Sequence, residues 1–162
     1  MDMDDEGKWS RASLRIFGDT LQPEEIGSAL GLKATHTYLK GELLSPAHAS
    51  VRQESGWLLE SPLSKRSDLV DHLKWLLDTL EPKRDVIREL SGKYRIDLFC
   101  GFASMNGQGG FMLDSVTLAR LAELGVPLGL DLYPLSALAR GDRPTWHSRS
   151  NNVDQRKSRR HL

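Results

Sequence analysis

A chain of 162 residues, 39% apolar and 27% charged, is long enough for one core with room for unstructured ends. Its 22 basic and 22 acidic residues cancel, which excludes a global field for a polyanion, and one cysteine excludes a disulfide framework. The start MDMDDEG has neither the basic region nor the apolar run of a secretion signal. No stretch approaches the roughly 18 apolar residues of a membrane span, so a cytoplasmic protein is expected.

Charge concentrates at the two ends. Asp2, Asp4, Asp5 and Glu6 make the start acidic, whereas Arg140, Arg143, Arg149, Arg156, Lys157, Arg159 and Arg160 make the end basic. Neither end has apolar periodicity. The chain therefore divides into a disordered acidic N-terminus over 1–7, one domain over 8–138, and a weakly ordered basic tail over 139–162 that carries Trp146.

Lys8 to Phe17 alternates with Leu14 and Ile16 on one side and Arg15 and Phe17 on the other, the period of a half-buried strand. Pro23, Glu24 and Glu25 open a short helix that Gly31 closes. Residues 35–44 can form a second strand, and the later half of 51–61 a third. From Ser67 the spacing turns helical, with Leu69, Leu73, Leu76, Leu77 and Leu80 in one stripe. Val86, Ile87 and Leu90 extend it past Pro82, which predicts a long helix that kinks or restarts at the proline.

Ile96, Leu98, Cys100 and Phe102 alternate with Asp97, Phe99 and Gly101 in the next strand. The glycine-rich residues 105–110 read as a turn, with Phe111, Met112 and Leu113 returning as a strand. Asp114 or Ser115 caps a third helix that Gly125 ends. A last strand to Tyr133 alternates Leu128, Leu130 and Leu132 toward the core, with Asp131 and Tyr133 away from it. The two strand–helix–strand ends of the domain form a weak internal repeat.

This order predicts an α+β two-layer sandwich with ferredoxin-like or duplicated βαβ character. Three helices, the middle one long and kinked, lie on one face of a mainly antiparallel sheet. Alternation then collects Arg15, Phe17, Trp57, Asp97, Phe99, Asp131 and Tyr133 on the helix-free face.

The segments SLRIFGDTLQPEEIGSALGL, Lys40-Gly41, Gly56-Trp57, HLKWLLDTLEPKRDVI, IDLFCGF, GQGGF and LARLAELGVPLGLDLY, in this order over about 12–134, resemble the bacterial domain-of-unknown-function family 4279. The resemblance implies a bacterial, intracellular, single-domain protein and carries no catalytic residue with it.

Three functional expectations follow from the residues. The first is a binding or interaction module, an inhibitor- or immunity-type partner of another protein, working through Arg15, Phe17, Asp97, Phe99, Asp131 and Tyr133 on the helix-free face. Lys40, Arg52 and Trp57, with His36, could add cationic groups and an aromatic wall for a small anionic ligand. The second is a hydrolase-like enzyme in which Asp97 and Asp131 act as a carboxylate pair and Arg15 or Lys40 positions an anionic substrate. The third is nucleic-acid contact through the basic C-terminal tail, nonspecific and to phosphates, although the run Arg156–His161 has no interleaved aromatic residues to stack on bases. The scattered histidines and the lone Cys100 lack metal-ligand spacing, so no metal, cofactor or catalytic residue is assigned.

Overall fold

The computed structural model describes residues 8–104 and 109–134. Its central strand is β1 (Lys8–Gly18), which buries Ala12, Leu14 and Ile16 on one side. Leu21 and the first turn of α1 (Pro23–Leu30) follow. Gly31 ends this helix at φ 64°, the left-handed conformation that glycine adopts without a Cβ penalty.

The expected second strand is two short ones, β2 (His36–Tyr38) and β3 (Leu43–Ser45), because Gly41, at φ 87°, breaks the extension between them. β3 pairs with β4 (His48–Val51), a strand that lies between the second and third strands expected from the sequence. β5 (Ser55–Glu60) then returns beside β1.

α2 (Leu69–Leu80) buries its leucine stripe completely. At Pro82 the chain tightens into a 3₁₀ turn over Glu81–Lys83 and restarts as α3 (Arg84–Ser91), so the break falls where the proline predicts it. Next comes β6 (Arg95–Ser104). Phe111 to Leu113 are not a strand, contrary to expectation; the segment stays irregular, with the Phe111 ring 6.2 Å from that of Phe102. Asp114 caps α4 (Ser115–Leu124) by accepting the Thr117 N–H at 2.7 Å, and β7 (Leu128–Pro134) ends the described chain.

Among the described residues the main sheet has five strands in the order β2-β5-β1-β6-β7. The first four are antiparallel to their neighbours. They form a split βαβ arrangement with β1 and β5 as the inner strands, the ferredoxin-like pattern. α4 and β7 add one parallel βαβ step beside β6. One core contains Leu14 and Ile16 of β1, Leu98 and Cys100 of β6, and residues from all four helices, so the helices share one face of the sheet.

β7 differs from expectation in its burial. Its register puts Leu128, Leu130 and Leu132 beside Leu98, Cys100 and Phe102, on the helix face, yet they are 42%, 45% and 65% exposed. Alternation predicted their side correctly but not their position on an edge strand, beyond the helix layer.

The loop from Ser61 to Asp68 is fastened at both ends of its path. Ser10 donates its N–H to the Lys65 carbonyl at 2.8 Å and its hydroxyl to the Ser67 carbonyl at 2.6 Å. His72 of α2 is buried against the same loop, with Nδ1 3.0 Å from Ser61 Oγ and Nε2 3.1 Å from the Ser64 carbonyl. These partners suit a neutral ring that donates from Nε2 and accepts at Nδ1.

Burial holds the His72 pKa below its ordinary value, against the opposing pull of the Ser64 carbonyl. His36 is lowered too, by partial desolvation and then by Arg52, but its ring stays exposed and water screens it, so His72 dominates the pH dependence. A lowered folded-state pKa means that the unfolded chain binds more protons. Stability is therefore complete above about pH 6.5 and falls as pH drops from there through the folded-state pKa values. Urea denaturation across this window should show the midpoint declining toward acid; a flat profile would contradict the neutral, buried assignment of His72.

Candidate functional site

The helix-free face follows from strand register. Phe17 stands between Gly56 and Arg95, Arg15 between Leu58 and Asp97, and Ser13 between Glu60 and Phe99. β2 adds Tyr38 beside Gly56 and His36 beside Leu58, and β7 adds Gly129 beside Phe99 and Asp131 beside Gly101. The rows thus place aromatic, cation and carboxylate positions side by side across the sheet.

Arg15 is its centre. The Nε and Nη2 donors both reach Asp97, at 2.7 Å to each carboxylate oxygen, a bidentate pair of the kind a planar guanidinium makes best. The same guanidinium lies 3.8 Å from the Phe99 ring centroid and 5.2 Å from that of Phe17. Arg15 is only 5% exposed although, among the described residues, no helix covers this side. Ring, cation and carboxylate are fixed together before any ligand arrives.

The pattern repeats outward. Arg95 pairs with Glu54 and lies 4.9 Å from the Phe17 ring; Arg11 pairs with Glu60; Arg52 lies 4.0 Å from the Tyr38 ring. Phe17, Tyr38 and Leu58 make a small buried cluster of their own.

Glycine makes the rings lie flat. A Cβ on Gly56 would sit 2.4 Å from Tyr38 Cζ, and one on Gly129 would sit 2.9 Å from Phe99 Cδ2. Burial pushes the Tyr38 hydroxyl pKa above its ordinary value, with Arg52 pulling the other way, so Tyr38 presents a neutral ring.

Arg15, Phe17, Asp97 and Phe99 therefore converge as the sequence reading expected. Trp57 does not join them. It is 1% exposed in the main core on the opposite side, opposite Ile16 in the register and against α1, so its place on the binding face is corrected. Lys40 lies off the face, exposed and 3.2 Å from Asp19. Arg52 stays near His36 and Tyr38, but with Lys40 and Trp57 elsewhere the expected cationic pocket does not assemble.

Asp131 shares the face with Asp97 but not its neighbourhood. Its register partner Gly101 is four residues along β6 from Asp97, a separation of about 13 Å. That exceeds the spacing of about 5–9.5 Å across which two carboxylates share a hydrolytic step. Tyr133 is further along again, opposite Ala103 in the register.

A groove of about 340 Å³ lies on the helix side, between the start of α2, Phe102 and residues 110–112, with Asp68 and Asp71 in its lining. It is across the sheet from Asp97. Cys100 is on that side as well, where burial, with a smaller contribution from Asp97, pushes its thiol up to about 12. Such a thiol is packing rather than a nucleophile. Among the described residues no group of three or more His, Cys, Asp or Glu could hold a metal ion, and no helix is long and apolar enough to cross a membrane.

The residues that sequence reasoning missed are Tyr38, Leu58, Arg95, Glu54, Arg11 and Glu60. The parity of Arg11 and Arg95 with Arg15 and Asp97 was the available signal for two of them; the others needed the pairing of β5 with both neighbours.

A family model for a domain of unknown function, DUF4279, matches residues 7–135, most of the chain and all of the sheet. The chain belongs to that family. No curated protein and no solved structure matches it. The match spans every face residue of this DUF4279 domain, and it stops one residue past β7, so the basic tail lies outside it. Trp146, the acidic start, that tail and residues 105–108 of the expected glycine-rich turn lie outside the described residues.

Proposed function

We propose that this DUF4279 domain is a binding module whose helix-free sheet face docks on another protein. The observation that carries the reading is a rigid floor: the buried Arg15 guanidinium, held between Phe17 and Phe99 and clamped by Asp97, fixes the partly exposed Asp97 and Phe99 on the same face as the partly exposed Arg95. Arginine and aromatic side chains in a packed, partly desolvated arrangement are what dominate protein–protein contacts. Beside it the β3–β4 hairpin and Leu39 before it add exposed apolar area, with Leu39, Leu43 and Val51 at 44%, 60% and 39%, and Arg52 after β4 reaches onto Tyr38.

Such a face suits an inhibitor- or immunity-type role, in which the module covers a surface of its partner. Its side chains are already paired, so docking immobilises few rotamers. A carboxylate pair acting on an anionic substrate has less support, because Asp97 is engaged by Arg15 and Asp131 stands about 13 Å away.

Affinity capture from the native cell extract tests the proposal. Arg52→Ala with Arg95→Ala removes two cations at the margin of the face and leaves the Arg15 clamp in place. The double variant should lose at least tenfold of any partner that the wild type retains, whereas Arg84→Ala on the helix side should retain it. Equal capture by all three proteins would overturn the assignment of the face.

A further inference from the structure

The two edges of the sheet are built differently. β2 has three residues, and a short edge strand is a common guard against unwanted pairing. β7, at the other edge, has seven, with no lysine and with leucine at every second position. Three of those leucines are 42–65% exposed.

The backbone of β7 is polarised between its two sides. The Leu98 N–H donates to the Pro127 carbonyl at 2.8 Å, and Leu98 is the register partner of Leu128. In a parallel ladder this turns Gly129, Asp131 and Tyr133 toward β6 and the N–H and C=O groups of Leu128, Leu130 and Leu132 toward the outer edge.

We propose that β7 pairs with β7 of a second copy of this chain, antiparallel about a twofold axis at Leu130. The segment Leu128-Gly129-Leu130-Asp131-Leu132 suits its own reverse. Leu128 falls opposite Leu132 of the second copy and Leu130 opposite its equivalent, all on one face of the joined sheet. Asp131, the charged residue of the strand, falls opposite Gly129 instead of another carboxylate. The three outward residues of each copy form hydrogen-bonded pairs, giving about six backbone hydrogen bonds.

The twofold axis stands perpendicular to the sheet, so the two helix-free faces point the same way. The dimer then presents two docking faces on one side, and a partner with two copies of the complementary surface gains effective concentration at the second contact. The pairing rests on the strand edge and not on the identity of that partner, so either can fail without the other.

Light scattering on the full chain over a concentration series should give twice the monomer mass at the upper end. Leu130→Pro removes an N–H that does not serve the β6–β7 ladder, and edge strands tolerate proline. That variant should stay monomeric at every concentration with an unchanged circular dichroism spectrum. Leu130→Lys provides the same readout if proline unfolds the strand. In a Cys100→Ala background, Leu130→Cys places two thiols across the axis with Cα atoms about 5.5 Å apart, within disulfide range, and oxidation should give a covalent dimer. A wild type that is monomeric throughout overturns the proposal. So does a dimer that survives both the Pro and Lys substitutions, or the absence of the cross-link.

Discussion

Replacing Asp97 with Asn will lower the free energy of unfolding by about 3 kcal/mol, although Asp97 lies on the face that carries no helices. Its carboxylate holds Arg15 at 2.7 Å through both oxygens, and the Arg15 side chain is 6% exposed. Asparagine keeps the shape but removes the charge and one acceptor, leaving a desolvated guanidinium with a weaker partner. Losing one member of such a pair is costly, while replacing both by apolar side chains of similar volume is often neutral. The double substitution Arg15→Met with Asp97→Leu should therefore recover at least half of the loss. Urea midpoints at constant m-value check both variants. An Asp97→Asn midpoint equal to wild type would mean that the pair is a solvated surface contact.

Trp57→Ala is the second large effect, about 4 kcal/mol of lost stability. The indole is fully enclosed, opposite Ile16 in the register and against Gly27 of α1, and truncation leaves a cavity that neighbouring strands cannot close. Typical domains have roughly 5–15 kcal/mol in total, so the variant should unfold at a much lower urea concentration. Its folded fraction should still bind whatever the wild type binds, because the residue faces away from Arg15. A variant of normal stability that fails to bind would put Trp57 back on the docking face.

These two residues also show what the sequence made legible. β1 and β6 alternate cleanly, so the faces of Arg15, Phe17, Asp97 and Phe99 could be read from parity alone. The stretch Ser55–Glu60 has no such alternation: Trp57 and Leu59 pack under the helices while Leu58 is buried on the opposite side. With both faces apolar, parity has no reference, and Trp57 was assigned to the wrong one.

The helix stripe and its break at Pro82 were readable because a 3.6-residue period and a missing backbone donor are local signals. Pairing is not local. The 13 Å between Asp97 and Asp131 depends on Gly101 standing opposite Asp131, and the exposure of Leu130 depends on β7 being an edge. Similarly, the alternation around Tyr38 was obscured by Gly41, and the β3–β4 hairpin that ends beside it had no strong turn signature.

The central claim is that the helix-free face is the docking surface. An amide chemical-shift titration of the labelled protein with the captured partner tests it most directly. The account predicts shifts concentrated at Arg15 and Phe17 of β1, Tyr38 of β2, Leu58 of β5, Asp97 and Phe99 of β6, and the β3–β4 hairpin, with α2 and α3 unchanged. Shifts confined to the helices, with those strand residues unmoved, would contradict it.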